Sequence, residues 1–258
     1  MQTEILVTGT KSGIGRYMHE QLGGTGLNRQ SDDLNELKRR SFEAIIHCAC
    51  NFMPTRLITN ENLNQYFYDN VLLTRKLLEV PHKFFVFFST IDLYPDNGQP
   101  HPETEIIYAD SVRSIYAATK LLSESLITEK AENFLILRAT SLSGSYMRKN
   151  NLVKLVEDSY PVLSLRQDSL FNLIRYPDVL EFINAALSRR EKGIYNLASA
   201  ENISLARIAE IVGKNVIFGD YRYNAGNILN WKAAQISPAF KKTSEKVLKE
   251  FLAERGIS

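Results

Sequence analysis

Short apolar runs alternate with stretches of helical periodicity through the first half of the chain. Four apolar runs predict buried strands at residues 4–9, 43–49, 83–90 and 133–139. A weaker fifth strand is predicted after the first helix, at residues 25–29. Helical spacing of apolar residues predicts helices at 14–22, 61–78 and 114–129. Continuously apolar strands separated by amphipathic helices are typical of a parallel sheet covered on both faces. We therefore predict an α/β fold with a doubly wound parallel sheet.

A glycine-rich turn joins the first predicted strand to the first predicted helix. Gly9, Gly13 and Gly15 would permit a tight turn, close approach of the backbone to a phosphate, and close packing of helix on strand. A diphosphate would then lie on the N–H groups at the start of the helix, where the macrodipole favours negative charge. An ordinary strand-to-helix turn is the alternative. We predict a Rossmann-type dinucleotide site whose turn residues are Gly9, Thr10, Lys11, Gly13, Ile14 and Gly15.

The pattern changes after Gly144, where loops and a short helix replace the regular alternation. Predicted elements return as a helix at 178–190, a strand at 193–199, a helix at 204–214 and a last helix from about Ser244. We predict two units, a dinucleotide-binding domain and a small C-terminal substrate-binding part. The domain is formed by residues 1–144 plus about 178–199, and the second part by about 145–177 and 200–258. The second part is expected to close over the carboxyl ends of the strands, where open α/β sheets bind ligands.

The end of the second strand usually decides which dinucleotide binds, because an acid holds the ribose 2′-hydroxyl whereas an arginine accommodates a 2′-phosphate. Arg29 stands at this position, and Lys11 in the glycine turn adds a second cation. These residues favour NADP. In the alternative interpretation Arg29 is a surface residue, and Asp32 or Asp33 binds the ribose of NAD.

Composition excludes several classes of function. The chain has 258 residues, 44% of them hydrophobic, and a net charge of +2, so nothing indicates binding to nucleic acid or to a membrane surface. Two cysteines, Cys48 and Cys50, are too few for a zinc site, so no metal is predicted. The chain shows no leader pattern and no apolar run near 18 residues, and we expect a cytoplasmic protein.

The segment "SIYAATK" places Tyr116 four residues before Lys120, on one face of a predicted helix. A free phenol has a pKa of about 10 and is a poor acid or base at neutral pH. A neighbouring ammonium and the positive charge of a nicotinamide would both lower that pKa. The alternative is a chance pair on a surface helix.

The ordered set of motifs resembles the extended branch of the short-chain dehydrogenase/reductase superfamily, which contains nucleotide-sugar epimerases, dehydratases and reductases. The motifs are "TGTKSGIG", "HCA", "STIDLY", "YAATK" and "LRATSLSG", followed by "FNLIRYPDVLEFINAAL" and "GIYNLASAENISLARIAEIVG". The resemblance covers nearly the whole chain. It implies that Tyr116 is the general acid/base, that Lys120 assists it, and that Thr90, four residues before Tyr94, orients the substrate oxygen.

The resemblance also implies further contacts. Cofactor contacts are expected from Cys48, Ala49, Asn70, Ser89 and Ala139, besides Tyr116 and Lys120. The alternative interpretation of Ser89 is a structural hydroxyl, and that of Asn70 is a residue at a helix kink. His47 is expected to be a buried strand residue. Substrate contacts are expected from Thr90, Asp92, Ser141, Arg166 and Arg175. Ser141 replaces an asparagine that the family often carries, so the arginines, with Arg148 and Lys149, are the candidates for the substrate's diphosphate.

The resemblance implies an oxidoreductase with a small nucleotide-linked sugar as substrate. Arg29, the short C-terminal part and the absence of an Asp-Glu pair after Thr90 favour NADPH-dependent reduction of a keto group on a deoxysugar. An NAD-dependent nucleotide-sugar 4-epimerase is the alternative, and a non-catalytic NAD(P)-binding regulator is a third. Helices at 61–78 and 114–130 resemble the family's dimer-forming pair and predict a homodimer, although a monomer with one buried face fits the same pattern.

Overall fold

The computed structural model describes residues 4–29 and 34–257. Its strands, in chain order, are β1 (Ile5–Thr8), β2 (Thr25–Leu27), β3 (Phe42–His47), β4 (His82–Thr90), β5 (Pro100–His101), β6 (Phe134–Ala139), β7 (Ser141–Ser143), β8 (Leu170–Phe171), β9 (Leu173–Arg175), β10 (Gly193–Leu197), β11 (Ile203–Ser204) and β12 (Asn227–Ile228). Its α-helices are α1 (Gly13–Leu22), α2 (Leu34–Leu37), α3 (Leu63–Phe67), α4 (Leu73–Leu77), α5 (Ile115–Lys130), α6 (Asn151–Glu157), α7 (Tyr176–Ser188), α8 (Leu205–Val212), α9 (Trp231–Ile236) and α10 (Ser244–Glu254).

Six parallel strands form the central sheet, in the order β10-β6-β4-β3-β1-β2. The apolar runs of the sequence supply its inner strands, and the prediction of a doubly wound parallel sheet is confirmed. All four predicted buried strands are present, and the weak one is β2. Among the described residues, no helix is long and apolar enough to cross a membrane.

Successive strand residues point to opposite faces, so each apolar strand contributes to two cores. Val7 and Ile46 pack on one face with side chains of α7 such as Phe182. Leu6 and Ile45 belong to the core on the other face. This double burial explains why the strands are continuously apolar rather than alternating.

The chain after Gly144 builds a further core of its own. Side chains of α6, α8 and α10, among them Leu155, Ile208 and Phe251, form this cluster. Strand β10 instead joins the central sheet beside β6, and α7 packs on that sheet. The predicted division of the chain into two units stays a prediction.

The predicted helix at 61–78 differs from the structure. It is divided into α3 and α4 by a π-helical turn, Tyr68–Leu72, which contains Asn70. The predicted helix at 114–129 is present as α5, and Ser114 caps its start by accepting a hydrogen bond from the N–H of Ala117 at 3.1 Å.

Candidate active site

Tyr116 lies in the first turn of α5, and Lys120 follows one turn later. The ammonium of Lys120 is buried and donates a hydrogen bond to the carbonyl oxygen of Phe88, at 2.8 Å. Its Nζ lies 4.6 Å from the centre of the Phe87 ring and 5.6 Å from the centre of the Tyr116 ring. The helix therefore presents both side chains to the carboxyl end of β4.

The pKa of Tyr116 differs from the sequence expectation. Burial raises the pKa of Tyr116 well above its usual value, and the nearby Cys50 and Asp92 raise it further. Burial lowers the pKa of Lys120, although Cys50, Cys48 and Glu124 act against this effect. The lowering is absent because desolvation of the phenol is the largest effect on its pKa. The residues of this chain therefore favour the protonated phenol.

The two hydroxyls at the end of β4 serve different partners. Thr90 accepts a hydrogen bond from the N–H of Asp92 at 3.1 Å and so caps a 3₁₀ turn, Ile91–Leu93. Ser89 instead donates to the buried carboxylate of Glu124. Adjacent strand residues point to opposite faces, so only one of these hydroxyls can face a ligand on a given side. The structural interpretation of Ser89 fits this arrangement.

Three residues that the sequence analysis did not select lie beside Tyr116. The ring of Phe52 meets the Tyr116 ring edge-on, with centroids 4.9 Å apart. Cys50 and Tyr66 are near enough to raise the pKa of the phenol. Cys50 directly follows the motif "HCA", whereas Phe52 and Tyr66 belong to segments without a recognisable motif.

Asp92, which the sequence analysis selected as a substrate contact, lies near Tyr116. Burial raises the pKa of its carboxyl group, and the guanidinium of Arg113 opposes that rise. Asp92 in turn raises the pKa of Tyr116. The carboxyl group of Asp92 therefore interacts electrostatically with both the phenol and the guanidinium.

A buried network of ionic and polar side chains holds the helix that carries Tyr116 and Lys120. Arg138 of β6 donates from Nε and Nη2 to the two carboxylate oxygens of Glu124, at 3.1 and 2.7 Å. Its Nη1 donates to the hydroxyl of Tyr94 at 2.9 Å, and that hydroxyl donates to Asn196 at 2.8 Å. Because Glu124 lies one turn after Lys120, the network fixes α5 against β4 and β6.

The glycine turn has the close contacts that a dinucleotide cradle requires. Gly9 has φ +76°, and a Cβ there would lie 2.9 Å from the backbone of Ala49. A Cβ on Gly15 would lie 2.4 Å from the carbonyl oxygen of Gly9, so α1 packs directly on the end of β1. Thr10 and Ile14 are half-buried beside these glycines, and Lys11 is exposed. The turn fits a bound diphosphate, although the N–H of Gly13 donates to the carbonyl of Tyr146 at 2.8 Å.

The segment after β3 approaches the same turn. The N–H of Ala49 donates to the hydroxyl of Thr8 at 3.0 Å, and burial raises the pKa of the Cys48 thiol. His47 is hydrogen-bonded to the hydroxyls of Thr8 and Thr74, at 2.8 and 3.0 Å. Burial, with a smaller effect of Lys120, lowers the His47 pKa to about 3, so this histidine is a neutral, buried strand residue as expected.

Asn70 lies at the helix kink that the alternative interpretation expected, and its contact with the cofactor stays a prediction. It lies in the π-helical turn, and its side chain bonds both backbone groups of Asn51. Its Oδ1 accepts from the Asn51 N–H at 2.7 Å, and its Nδ2 donates to the Asn51 carbonyl at 3.0 Å. Asn70 therefore fixes the loop that carries Cys50 and Phe52 over Tyr116.

Arg29 has an acidic partner in the structure. Its guanidinium is ion-paired with Asp69, which also accepts hydrogen bonds from Asn51 at 2.9 Å and Gln65 at 2.8 Å. A 2′-phosphate would have to compete with this carboxylate for Arg29. The alternative ribose ligands, Asp32 and Asp33, lie outside the described residues.

The cations proposed for the substrate's diphosphate are also engaged. Arg166 pairs with Asp168 on the surface, and Lys149 pairs with Asp158. Arg175 pairs with carboxylates of α7 and α10, which are Asp178, Glu250 and Glu254. The role of these cations in binding the substrate's diphosphate stays a prediction. Ala139 ends β6 and is buried, and Ser141 is half-buried in β7.

The family follows from a comparison of the sequence with family models. Residues 5–198 match the model of the NAD dependent epimerase/dehydratase family. The chain belongs to this family. Membership confirms the resemblance to extended short-chain dehydrogenases/reductases, and with it the predictions of an NAD(P)-dependent enzyme and of a nicotinamide dinucleotide as cofactor. No curated protein matches the chain.

Solved structures share the fold at low sequence identity. A dTDP-4-dehydrorhamnose reductase from Clostridium acetobutylicum has a TM-score of 0.82 and 16% identity, covering 98% of this chain and 99% of that chain. The corresponding enzyme from Bacillus anthracis, in complex with NADP, has a TM-score of 0.80 and 16% identity, covering 98% and 100%. A UDP-glucuronic acid 4-epimerase from Bacillus cereus, in complex with UDP-glucuronic acid and NAD, has a TM-score of 0.77 and 17% identity, covering 98% and 99%.

Proposed function

We propose that this enzyme reduces a keto group on a nucleotide-linked sugar, with Tyr116 as proton donor. The arrangement of Tyr116, Lys120 and Thr90 at the carboxyl end of β4 carries this proposal, with the Lys120 ammonium bonded to the Phe88 carbonyl and the Thr90 hydroxyl bonded to the N–H of Asp92. Burial favours the protonated phenol, which is the form that gives a proton to a forming alkoxide. The reductases from Clostridium acetobutylicum and Bacillus anthracis have the same fold over nearly the whole chain and support this direction.

The proposed roles follow from the positions of the side chains. A bound nicotinamide dinucleotide supplies the hydride. Tyr116 donates the proton to the substrate oxygen, and Thr90 donates a hydrogen bond to the same oxygen while its own Oγ1 accepts from the N–H of Asp92. Lys120, held by the Phe88 carbonyl, contributes a positive charge that stabilises the phenolate formed by proton transfer. Asp92 is the proposed acceptor for a sugar hydroxyl.

The proposed cofactor residues line the turn and the strand ends already described. They are Gly9, Thr10, Lys11, Gly13, Ile14, Gly15, Cys48, Ala49 and Ala139. Asn70 acts through the Asn51 backbone, and Ser89 through Glu124, so both are proposed as supporting rather than contacting residues. The Arg29–Asp69 pair weakens the sequence argument for NADP, and we expect only a small preference between NADPH and NADH.

A second candidate function is 4-epimerisation of a nucleotide sugar with NAD. The Arg29–Asp69 pair favours it, because the acid opposes a 2′-phosphate. The fold is also shared with a UDP-glucuronic acid 4-epimerase that was crystallised with NAD. A non-catalytic NAD(P)-binding regulator would not need Tyr116 beside the buried Lys120 and Thr90.

One assay distinguishes the reductase, the epimerase and the non-catalytic regulator. The purified protein is mixed with NADPH or NADH and a panel of 4-keto nucleotide sugars, and loss of the reduced nicotinamide absorbance is followed. Consumption with at least one ketone is the expected result. In a parallel reaction with NAD and 4-hydroxyl nucleotide sugars, interconversion of the 4-epimers without net formation of NADH would instead establish the epimerase. Dinucleotide binding with neither reaction would leave the regulator.

We also propose that the protein is a homodimer through α3–α4 and α5. These helices pack side by side, and they expose apolar side chains at Leu72 and Leu122, 43% and 49% accessible. A face that continues over two adjacent helices can form a four-helix seam with a second copy. Light scattering should give the mass of two chains.

A further inference from the structure

Arg113 joins three separate chain segments at one point. Its Nε donates to the carbonyl of Tyr94 at 2.8 Å, and its Nη1 donates to the carbonyl of Asn224 at 2.6 Å. Tyr94 ends the 3₁₀ turn that Thr90 caps. Asn224 belongs to the C-terminal part of the chain and also bonds Asp96 in the loop after that turn, at 2.8 Å.

The position of Arg113 in the sequence connects these hydrogen bonds to the candidate active site. Arg113 directly precedes Ser114, the N-cap of α5, and Tyr116 is in the first turn of that helix. Its side chain therefore ties the start of α5 to the turn that carries Thr90. A guanidinium is planar, and with two of its nitrogens bonded to fixed carbonyls it has one orientation. A lysine, with a single nitrogen on a flexible stem, lacks this geometry.

The third nitrogen of the guanidinium is buried without a partner. Among residues 4–29 and 34–257, three buried side-chain polar atoms lack a hydrogen bond: Arg113 Nη2, His101 Nε2 and Tyr66 Oη. Gly226 lies against two of these side chains, since a Cβ there would be 3.7 Å from Arg113 Nη2 and 3.6 Å from His101 Cδ2. Burying a polar atom without a hydrogen-bond partner costs free energy. Proteins tolerate such unpaired polar atoms mainly where function requires them.

We propose that Arg113 is a positioning residue that sets the Thr90–Asp92 turn against Tyr116 and couples both to the Asn224 segment. It acts through the backbone of Tyr94 and Asn224 rather than by contact with the reacting atoms. The positive charge of Arg113 also interacts electrostatically with the carboxyl group of Asp92, which lies near the phenol of Tyr116. The kinetic consequence rests on the proposed function, whereas the structural consequence does not.

The structural consequence is tested by hydrogen exchange. In Arg113→Ala, the amides of Asp92 and Ala117, which donate to Thr90 and Ser114, should exchange faster than in the wild type. Added methylguanidinium should slow them again, and methylammonium should not. Arg113→Lys, a milder change, should also exchange faster. Arg207→Ala removes a guanidinium that pairs with Glu245 far along the chain, and it serves as the control for loss of charge.

The kinetic consequence is tested in the ketone assay. Displacement of a catalytic group by about 1 Å costs on the order of 100-fold in rate, so kcat of Arg113→Ala should fall by about that factor. Dinucleotide affinity should stay within about twofold, because the glycine turn is not touched, and methylguanidinium should restore part of kcat. Unchanged exchange at Asp92 and Ala117 in both variants would overturn the inference. A wild-type protein without turnover would refute the proposed function only, and the exchange data would still decide the role of Arg113.

Discussion

The Glu124–Arg138 pair gives the most quantitative prediction for stability. Both side chains are nearly inaccessible, at 5% and 4% exposure, and two hydrogen bonds join them. Arg138→Met keeps a long apolar stem but removes the guanidinium. The carboxylate of Glu124 then retains only the hydroxyl of Ser89 as a side-chain donor.

The expected magnitude follows from the cost of an uncompensated buried charge. Breaking a buried pair by removing one partner costs about 3–5 kcal/mol, a large share of the roughly 5–15 kcal/mol by which a domain is stable. Replacing both partners, as in Glu124→Leu with Arg138→Met, removes the charge altogether. The double variant should therefore be more stable than the single one. It still leaves the hydroxyl of Ser89 without its acceptor, at about 1–3 kcal/mol for a buried group, whereas the hydroxyl of Tyr94 still donates to Asn196.

Urea unfolding of the wild type and the variants measures these differences, provided that the m-values agree. Arg207→Met is the matched control, because its pair with Glu245 is partly exposed and its loss should leave the midpoint nearly unchanged. A loss of less than about 1 kcal/mol in Arg138→Met, or a double variant less stable than the single one, would refute the reasoning.

Three further predictions concern the cradle, a histidine and the dimer. Gly15→Ala places a Cβ 2.4 Å from the Gly9 carbonyl, so α1 must shift and dinucleotide affinity in a fluorescence titration should fall on the order of tenfold; unchanged affinity would contradict the cradle. His47 has a folded-state pKa of about 3, below its ordinary 6.5, so its contribution to stability is complete above pH 6.5 and is lost as the pH falls toward 3. Between these values His47→Gln should remove about 1.4 kcal/mol per pH unit from the slope of unfolding free energy, and an unchanged slope would mean that His47 is protonated when folded. Leu122→Glu should convert the proposed dimer to a monomer in light scattering, whereas an unaltered mass would contradict the proposed interface.

The sheet could be predicted because its strands are buried on both faces, which leaves continuous apolar runs such as that of β4. The interruption of the predicted helix at 61–78 could not. Asn70 bonds the backbone of Asn51, 19 residues earlier, and this contact cannot be predicted from the helical periodicity of the sequence. Local pattern thus gives the elements, and long-range polar contacts modify them.

The candidate site shows the same limit. The spacing of Tyr116 and Lys120 identified the helix and the face that carry them, because an interval of four residues is one helical turn. The expected lowering of the Tyr116 pKa considered the charges beside the phenol, whereas burial of the phenol, which raises the pKa, depends on the tertiary fold. Likewise, the sequence could not reveal that Arg29 meets Asp69.

The central claim, that Tyr116 donates the proton, is tested most directly by Tyr116→Phe. Turnover of a keto substrate and dinucleotide affinity are measured for this variant and the wild type. Loss of the hydroxyl should lower kcat by about 10²–10⁴-fold, the usual worth of a general acid, while dinucleotide affinity stays unchanged. Undiminished turnover of Tyr116→Phe would contradict the account.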